Sequence, residues 1–139
     1  MDERDERILE LLMENSRIPI TEVARELGVT ETAVRKRIKR LESCGAIRSY
    51  STIVDPFSLG YSGVALVGID TAPETLLSTL KYVKSLKGVR YASLTTGDHM
   101  IMFEVWCKTT QELEAFLKKL EKKEGVMRVC PAIVLKRTE

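Results

Sequence analysis

Residues 21–41, TEVARELGVTETAVRKRIKRL, constrain the fold more than any other stretch of the chain. Val23, Ala24 and Leu27 share one side of a short helix, Gly28 supplies a left-handed corner that ends it, and the Thr30 hydroxyl can cap the helix that follows. Val34, Ile38 and Leu41 then recur at i, i+4 and i+7. At about 100° per residue they form one narrow apolar stripe, so Thr32, Lys36 and Lys39 point away from it, with Arg35 and Arg40 on its flanks. Two short helices joined by a tight turn, the second basic on its outer face, make a helix-turn-helix.

The net charge of +2 says nothing by itself about nucleic acid, but its distribution does. Residues 2–14 carry Asp2, Glu3, Asp5, Glu6, Glu10 and Glu14 against Arg4 and Arg7. Residues 31–48 carry Arg35, Lys36, Arg37, Lys39, Arg40 and Arg48 against Glu31 and Glu42. Positive charge focused on one element, with no acidic partners expected one helical turn away, favours a polyanion over a merely solvated face. In that role Thr32, Arg35, Lys36 and Lys39 face base edges in the major groove. Arg40, the backbone amides near Thr21 and the helix start at Thr30 hold phosphates.

The remaining composition limits what this unit is attached to. With 139 residues the chain forms one ordinary domain or two small ones, and two small ones are marginal unless they share surface with a partner, so oligomerisation is expected. No apolar run approaches the roughly 20 residues of a membrane span, and the acidic, helix-patterned start MDERDERILE is unlike a signal peptide, so the expected location is the cytoplasm. Cys44, Cys107 and Cys130 are odd in number and without CxxC spacing; they are expected to be buried thiols, with no metal and no cofactor. His99 is the only histidine, which excludes any mechanism that needs two.

In chain order, residues 2–14 predict a scaffold helix with Ile8, Leu11 and Leu12 inward, broken by NSRIP at 15–19. Three helices are complete by Cys44-Gly45. Residues 46–54, AIRSYSTIV, predict a strand or wing, and residues 56–61 a linker. The pattern then changes and repeats: a strand at 64–70, a helix at 73–86, a strand from Gly88-Val89 to Thr96-Gly97-Asp98, a strand at 100–107, a helix at 111–123 and a last strand from Gly125-Val126 to Lys136. Lys87-Gly88-Val89 and Glu124-Gly125-Val126 follow their helices at the same distance, which gives two βαβ halves. The fold class is therefore α+β, a helix-turn-helix domain at 1–48 joined through 49–61 to a ferredoxin-like βαββαβ domain at 62–139. The third strand is central in that topology and apolar on both faces, with Ile101, Phe103, Val105 and Cys107 on one and Met100, Met102 and Trp106 on the other. Helices cover one face only, so a sheet-against-sheet dimer is expected. Pro131 cannot donate to a ladder and places the last strand at an edge.

The order and spacing of Asp2-Glu3-Arg4-Asp5-Glu6-Arg7-Ile8-Leu9, Glu22-Val23-Ala24, Leu27-Gly28-Val29-Thr30, Arg37-Ile38, Arg40-Leu41-Glu42, Gly45-Ala46-Ile47, Leu59-Gly60-Tyr61 and Thr96-Gly97-Asp98 resemble the Lrp/AsnC (leucine-responsive, feast/famine) transcriptional regulators over essentially the whole length. The resemblance implies a winged or simple helix-turn-helix joined to a βαββαβ effector domain, dimers that often assemble into octamers, and control of transcription by a small-molecule effector, an amino acid. The two-fold symmetry of the expected dimer calls in turn for a near-palindromic operator on double-stranded DNA. It also implies an effector site between dimers at the Gly-Asp turn, which Gly97 and Asp98 match with Thr96 beside them. His99, which by its place beside Asp98 is also a candidate effector contact, opens a stretch, His99-Met100-Ile101-Met102, that departs from the usual aromatic-acidic continuation and leaves room for an apolar effector side chain instead of a cationic one.

Physically, Gly97 lets backbone approach a carboxylate and Asp98 can accept an ammonium or cationic side chain, although an ordinary Gly-Asp turn reads the same way. Glu104 pairs either with a cationic ligand or with a lysine of a neighbouring chain. An alternative of another class is a Lrp-like enzyme such as a sirohaem decarboxylase subunit, which resembles the same two-part architecture. It would draw on His99, Arg90, Arg128 and Arg137 to hold carboxylates, and would leave the basic helix without a purpose.

Overall fold

In the computed structural model, which describes residues 1–138, Asp2 caps the first helix, α1 (Glu3–Glu14), through a reciprocal pair of bonds with Asp5. The Asp5 N–H donates to the Asp2 carboxylate at 2.9 Å and the Asp2 N–H to the Asp5 carboxylate at 3.2 Å, satisfying two of the amides that a helix start leaves open. α2 (Ile20–Leu27) ends at Gly28, whose φ of 64° is the left-handed corner read from the sequence. The Thr30 hydroxyl then accepts the Ala33 N–H at 3.2 Å and starts α3 (Glu31–Ser43). Ile8, Leu11, Val23, Ala24, Val34 and Leu41 close the core of this three-helix unit.

The chain divides into two units, Met1–Ile53 and the part from Val54 onward. Residues 46–54 do not form the expected strand or wing. A strand needs a hydrogen-bonding neighbour, and none of the described strands pairs with this segment. Its backbone is left unladdered, with Tyr50, Ile53 and Val54 exposed. A single turn of 3₁₀ helix at Phe57–Leu59 follows, steadied by the Asp55 carboxylate, which accepts from the Ser58 N–H at 3.2 Å and from the Ser58 hydroxyl at 2.8 Å.

The second unit holds β1 (Gly63–Thr71), a 3₁₀ turn at Pro73–Thr75, α4 (Leu76–Ser85), β2 (Val89–Leu94), β3 (Ile101–Cys107), α5 (Thr110–Glu121) and β4 (Val126–Ile133). The sheet order is β2-β3-β1-β4 with every pair antiparallel, which is the ferredoxin-like βαββαβ arrangement. β3 is central, and β4, with Pro131, is an edge. Ala65, Val67, Ile69, Ile101, Phe103 and Val105 face Val83 of α4 and Leu113 and Leu120 of α5, so one side of the sheet carries the core. The last strand stops at Ile133, short of Lys136.

The opposite side carries no helix, but it is not bare. Trp106 is only 6% exposed, because the Tyr61 ring packs against it, tilted by 60° at 5.5 Å between centres, and the Arg90 guanidinium lies 4.0 Å from its ring centre. The open apolar surface lies further along, at Leu66, which is 47% exposed, beside the half-buried Met102 and Cys130. None of the three cysteines is fully buried, against expectation: Cys44 is exposed just past α3, while Cys107 and Cys130 are half-buried near the sheet's margins. Among the described residues no helix is long and apolar enough to cross a membrane, and no cluster of His, Cys, Asp and Glu could hold a metal.

Candidate functional site

Two groups of residues carry polar chemistry that the cores do not use. The first is the outer face of α3. Thr32, Arg35, Lys36 and Lys39 are all exposed there, as are Thr21 at the start of α2 and Thr30 at the start of α3. Val34 and Leu41 bury the opposite side, so the apolar stripe fixes which side chains face out.

The charge run is not all free, and this differs from the sequence reading. Asp5 of α1 is 1% exposed, and its two oxygens accept from Arg37 Nη1 at 2.8 Å and Arg40 Nη2 at 2.5 Å. Arg37 also bonds Asp2 at 2.8 Å and is drawn against α1. Burial pushes the Asp5 carboxyl up, but the bond from Arg37, the Asp2 N–H and the charge of Arg40 outweigh it and leave the group below its ordinary value. The bond from Arg37 likewise lowers Asp2 to about 2. Arg35 has an acidic partner one turn away after all, Glu31 at 3.9 Å, although both side chains are largely in water and the pair is weak. Arg40 keeps an exposed guanidinium while tethered at one nitrogen. Lys36 and Lys39 have no ion pair among the described residues.

The second group is the turn between β2 and β3. Thr96, Gly97 and Asp98 are exposed, and Gly97 adopts φ 99°, a conformation that a side chain would strain. The Thr95 hydroxyl donates to the His99 carbonyl at 2.8 Å and the Thr95 N–H to the Met100 carbonyl at 2.9 Å, which closes the turn. His99 does not point outward with Asp98. Its Nδ1 lies 3.3 Å from the Asp70 carboxylate, which Arg128 also approaches at 3.3 Å.

Glu104 is not part of this turn. It lies in mid-strand on β3, opposite Leu66 and Arg90, is 5% exposed, and is ion-paired with Arg137 of its own chain. Neither expected partner, a cationic ligand or a neighbour's lysine, is required to explain it. The pairing escaped the sequence reading because Arg137 lies beyond the last strand and nothing local announces its return to the sheet. The four groups weighed for an enzyme also fail to converge. Arg128 and His99 meet at Asp70, whereas Arg90 and Arg137 meet at Trp106.

A helix-turn-helix with a basic outer face, followed by a ferredoxin-like domain with an open turn, defines a DNA-binding regulator with a ligand-binding module. The family comparisons agree: the AsnC-type helix-turn-helix domain matches residues 1–42 and the Lrp/AsnC ligand binding domain matches residues 64–139, and the chain belongs to the Lrp/AsnC family of transcriptional regulators. It is 45% identical over 138 residues to the HTH-type transcriptional regulator LrpA of Pyrococcus horikoshii, covering 99% of this chain and 98% of that protein. The structure of E. coli AsnC superposes with a TM-score of 0.80 at 29% identity, covering 99% of this chain and 93% of that one. A Neisseria meningitidis regulator solved as an L-Met complex shares the fold, with a TM-score of 0.83 at 22% identity over 100% and 92% of the two chains. These relatives are transcriptional regulators, and the enzyme alternative is set aside.

Proposed function

We propose that α3 enters the major groove of double-stranded DNA, with Thr32, Arg35, Lys36 and Lys39 at base edges and Thr30, Arg40 and the amides near Thr21 at phosphates. The observation that carries this is the exposed basic face of α3, held rigid by the stripe beneath it. Residues 1–48 are the DNA-binding part, 49–61 the connection, and 62–139 the part that binds effector and assembles, in the cytoplasm. Two copies join through the open sheet face around Leu66 and Met102, and such dimers associate further, up to octamers. Two-fold symmetry then calls for a near-palindromic operator with half-sites about one helical turn, or a multiple of it, apart.

The effector in this reading is an amino acid at Thr96-Gly97-Asp98. Backbone amides of the turn take its carboxylate, and Asp98 takes its ammonium or a cationic side chain. The Neisseria relative with bound L-Met supports the ligand class. Selecting bound duplexes from a random pool, with and without each of the twenty amino acids, tests both parts. Recovery of near-palindromes whose enrichment responds to an amino acid supports the reading; sequence-random recovery refutes it.

A further inference from the structure

Gly68 is buried in the middle of β1, a position where glycine weakens a strand and so calls for a reason. The reason is not conformation, since Gly68 is not among the glycines with positive φ. It is space. A Cβ built at Gly68 would lie 2.3 Å from His99 Cδ2 and 2.4 Å from its Cγ, so the imidazole occupies the volume that a side chain at 68 would need. The same ring is tethered to Asp70, two residues along the same face of β1, and Arg128, opposite Asp70 on the paired strand β4, approaches the same carboxylate oxygen at 3.3 Å. The Met100 N–H donates to the Ile69 carbonyl at 3.1 Å, so the chain just after the turn is pinned to β1 between the seat and the tether.

We propose that His99 is a positioning residue, the strut that sets the Thr96-Gly97-Asp98 turn against the sheet, with Gly68 as its seat and Asp70 as its tether. This rests on the reading of that turn as the effector site. Ligand contact then falls to the turn amides and Asp98. His99 acts through them, by removing conformational freedom that a ligand would otherwise have to restrict. The proposal gives Gly68, Asp70 and Arg128, which lie outside the turn, an influence on effector affinity without any contact with the effector.

The experiment uses the whole chain and exploits its single histidine, whose imidazole protons report the ring without assignment. Gly68→Ala should evict the ring, moving the imidazole signal toward that of a free histidine and shifting the Gly97 amide. In titrations with the twenty L-amino acids, affinity should fall roughly five- to tenfold, the scale of ordering a side chain or two on binding. His99→Ala should lose a similar factor. Gly68→Ala/His99→Ala has room for the new methyl and should bind like His99→Ala alone, because the two changes act on one contact. An imidazole and a Gly97 amide unmoved by Gly68→Ala, or losses that sum in the double variant, would overturn the proposal. If the wild type binds none of the amino acids, the effector reading falls, and the imidazole and Gly97 signals still decide whether His99 holds the turn.

Discussion

Replacing Asp5 with alanine perturbs the junction between the scaffold helix and the helix that faces DNA. Three donors lose an acceptor: the Asp2 N–H, Arg37 and Arg40. Breaking a buried ion pair costs about 3–5 kcal/mol when the surviving charge stays buried. Here the Arg40 side chain is 60% exposed and rehydrates, and Arg37 retains Asp2, so the loss should be about 2–3 kcal/mol. At an unfolding entropy of about 2.1 cal/mol/K per residue over Met1–Ile53, that corresponds to a fall of about 18–27 °C in its melting temperature. Circular dichroism gives the melt, and amide exchange, which should quicken in α1 and α3, localises it. DNA affinity measured well below the melt should change far less, since Arg35, Lys36 and Lys39 do not touch Asp5 and Arg40, though released from it, keeps its charge on the exposed side. A variant with the wild-type melt and unchanged exchange in α1 and α3 would refute this account of how the helices are joined.

Asp2 and Asp5 both titrate below their ordinary value of 3.8, so their contribution to stability is complete above that pH and is lost as pH falls through the folded values, about 2 for Asp2. The melting temperature of wild type relative to Asp2→Asn/Asp5→Asn should therefore be constant from neutral pH down to about 5, and the difference should shrink as pH falls below about 4 and go on shrinking through pH 2. At Gly88, φ is 87° and an added Cβ would lie 2.4 Å from the Trp106 carbonyl oxygen, so Gly88→Ala should cost about 2–4 kcal/mol in a denaturant titration. Phe103→Asp puts a charge into the helix-side core and should unfold the second unit. Leu66→Asp lies on the open face and should give folded chain of reduced oligomeric state in sedimentation. Trp106 is a poor probe of that face because its own chain already covers it.

The elements whose stability is local were legible in the sequence. The Val34-Ile38-Leu41 stripe, the Gly28 corner and the Thr30 cap act within a few residues, and all three stand as read. The repeated Gly-Val after each amphipathic helix was enough to give the sheet its topology, and Pro131 its edge. What stayed hidden depends on partners far along the chain. Residues 46–54 alternate like a strand, yet a strand exists only where a neighbour supplies the ladder. Arg37 and Arg40 look like free cations until α1, more than thirty residues earlier, brings Asp5 beneath them. Glu104 and Trp106 read from sequence as wanting a ligand or a second chain, because the return of Arg137 and Tyr61 to the sheet leaves no periodic trace. A glycine within a strand, as at Gly68, signals a close approach without naming what approaches.

The central claim is that the outer face of α3 reads DNA, and binding of a selected operator against a scrambled duplex over a range of salt tests it most directly. The account predicts that Arg35→Ala/Lys36→Ala loses discrimination between the two duplexes by roughly 1–3 kcal/mol for each contact removed, while Arg40→Ala weakens both duplexes alike and lowers the salt slope by roughly one per copy. If Arg35→Ala/Lys36→Ala binds the operator with unchanged affinity, preference and salt slope, α3 does not face the groove and the account is wrong.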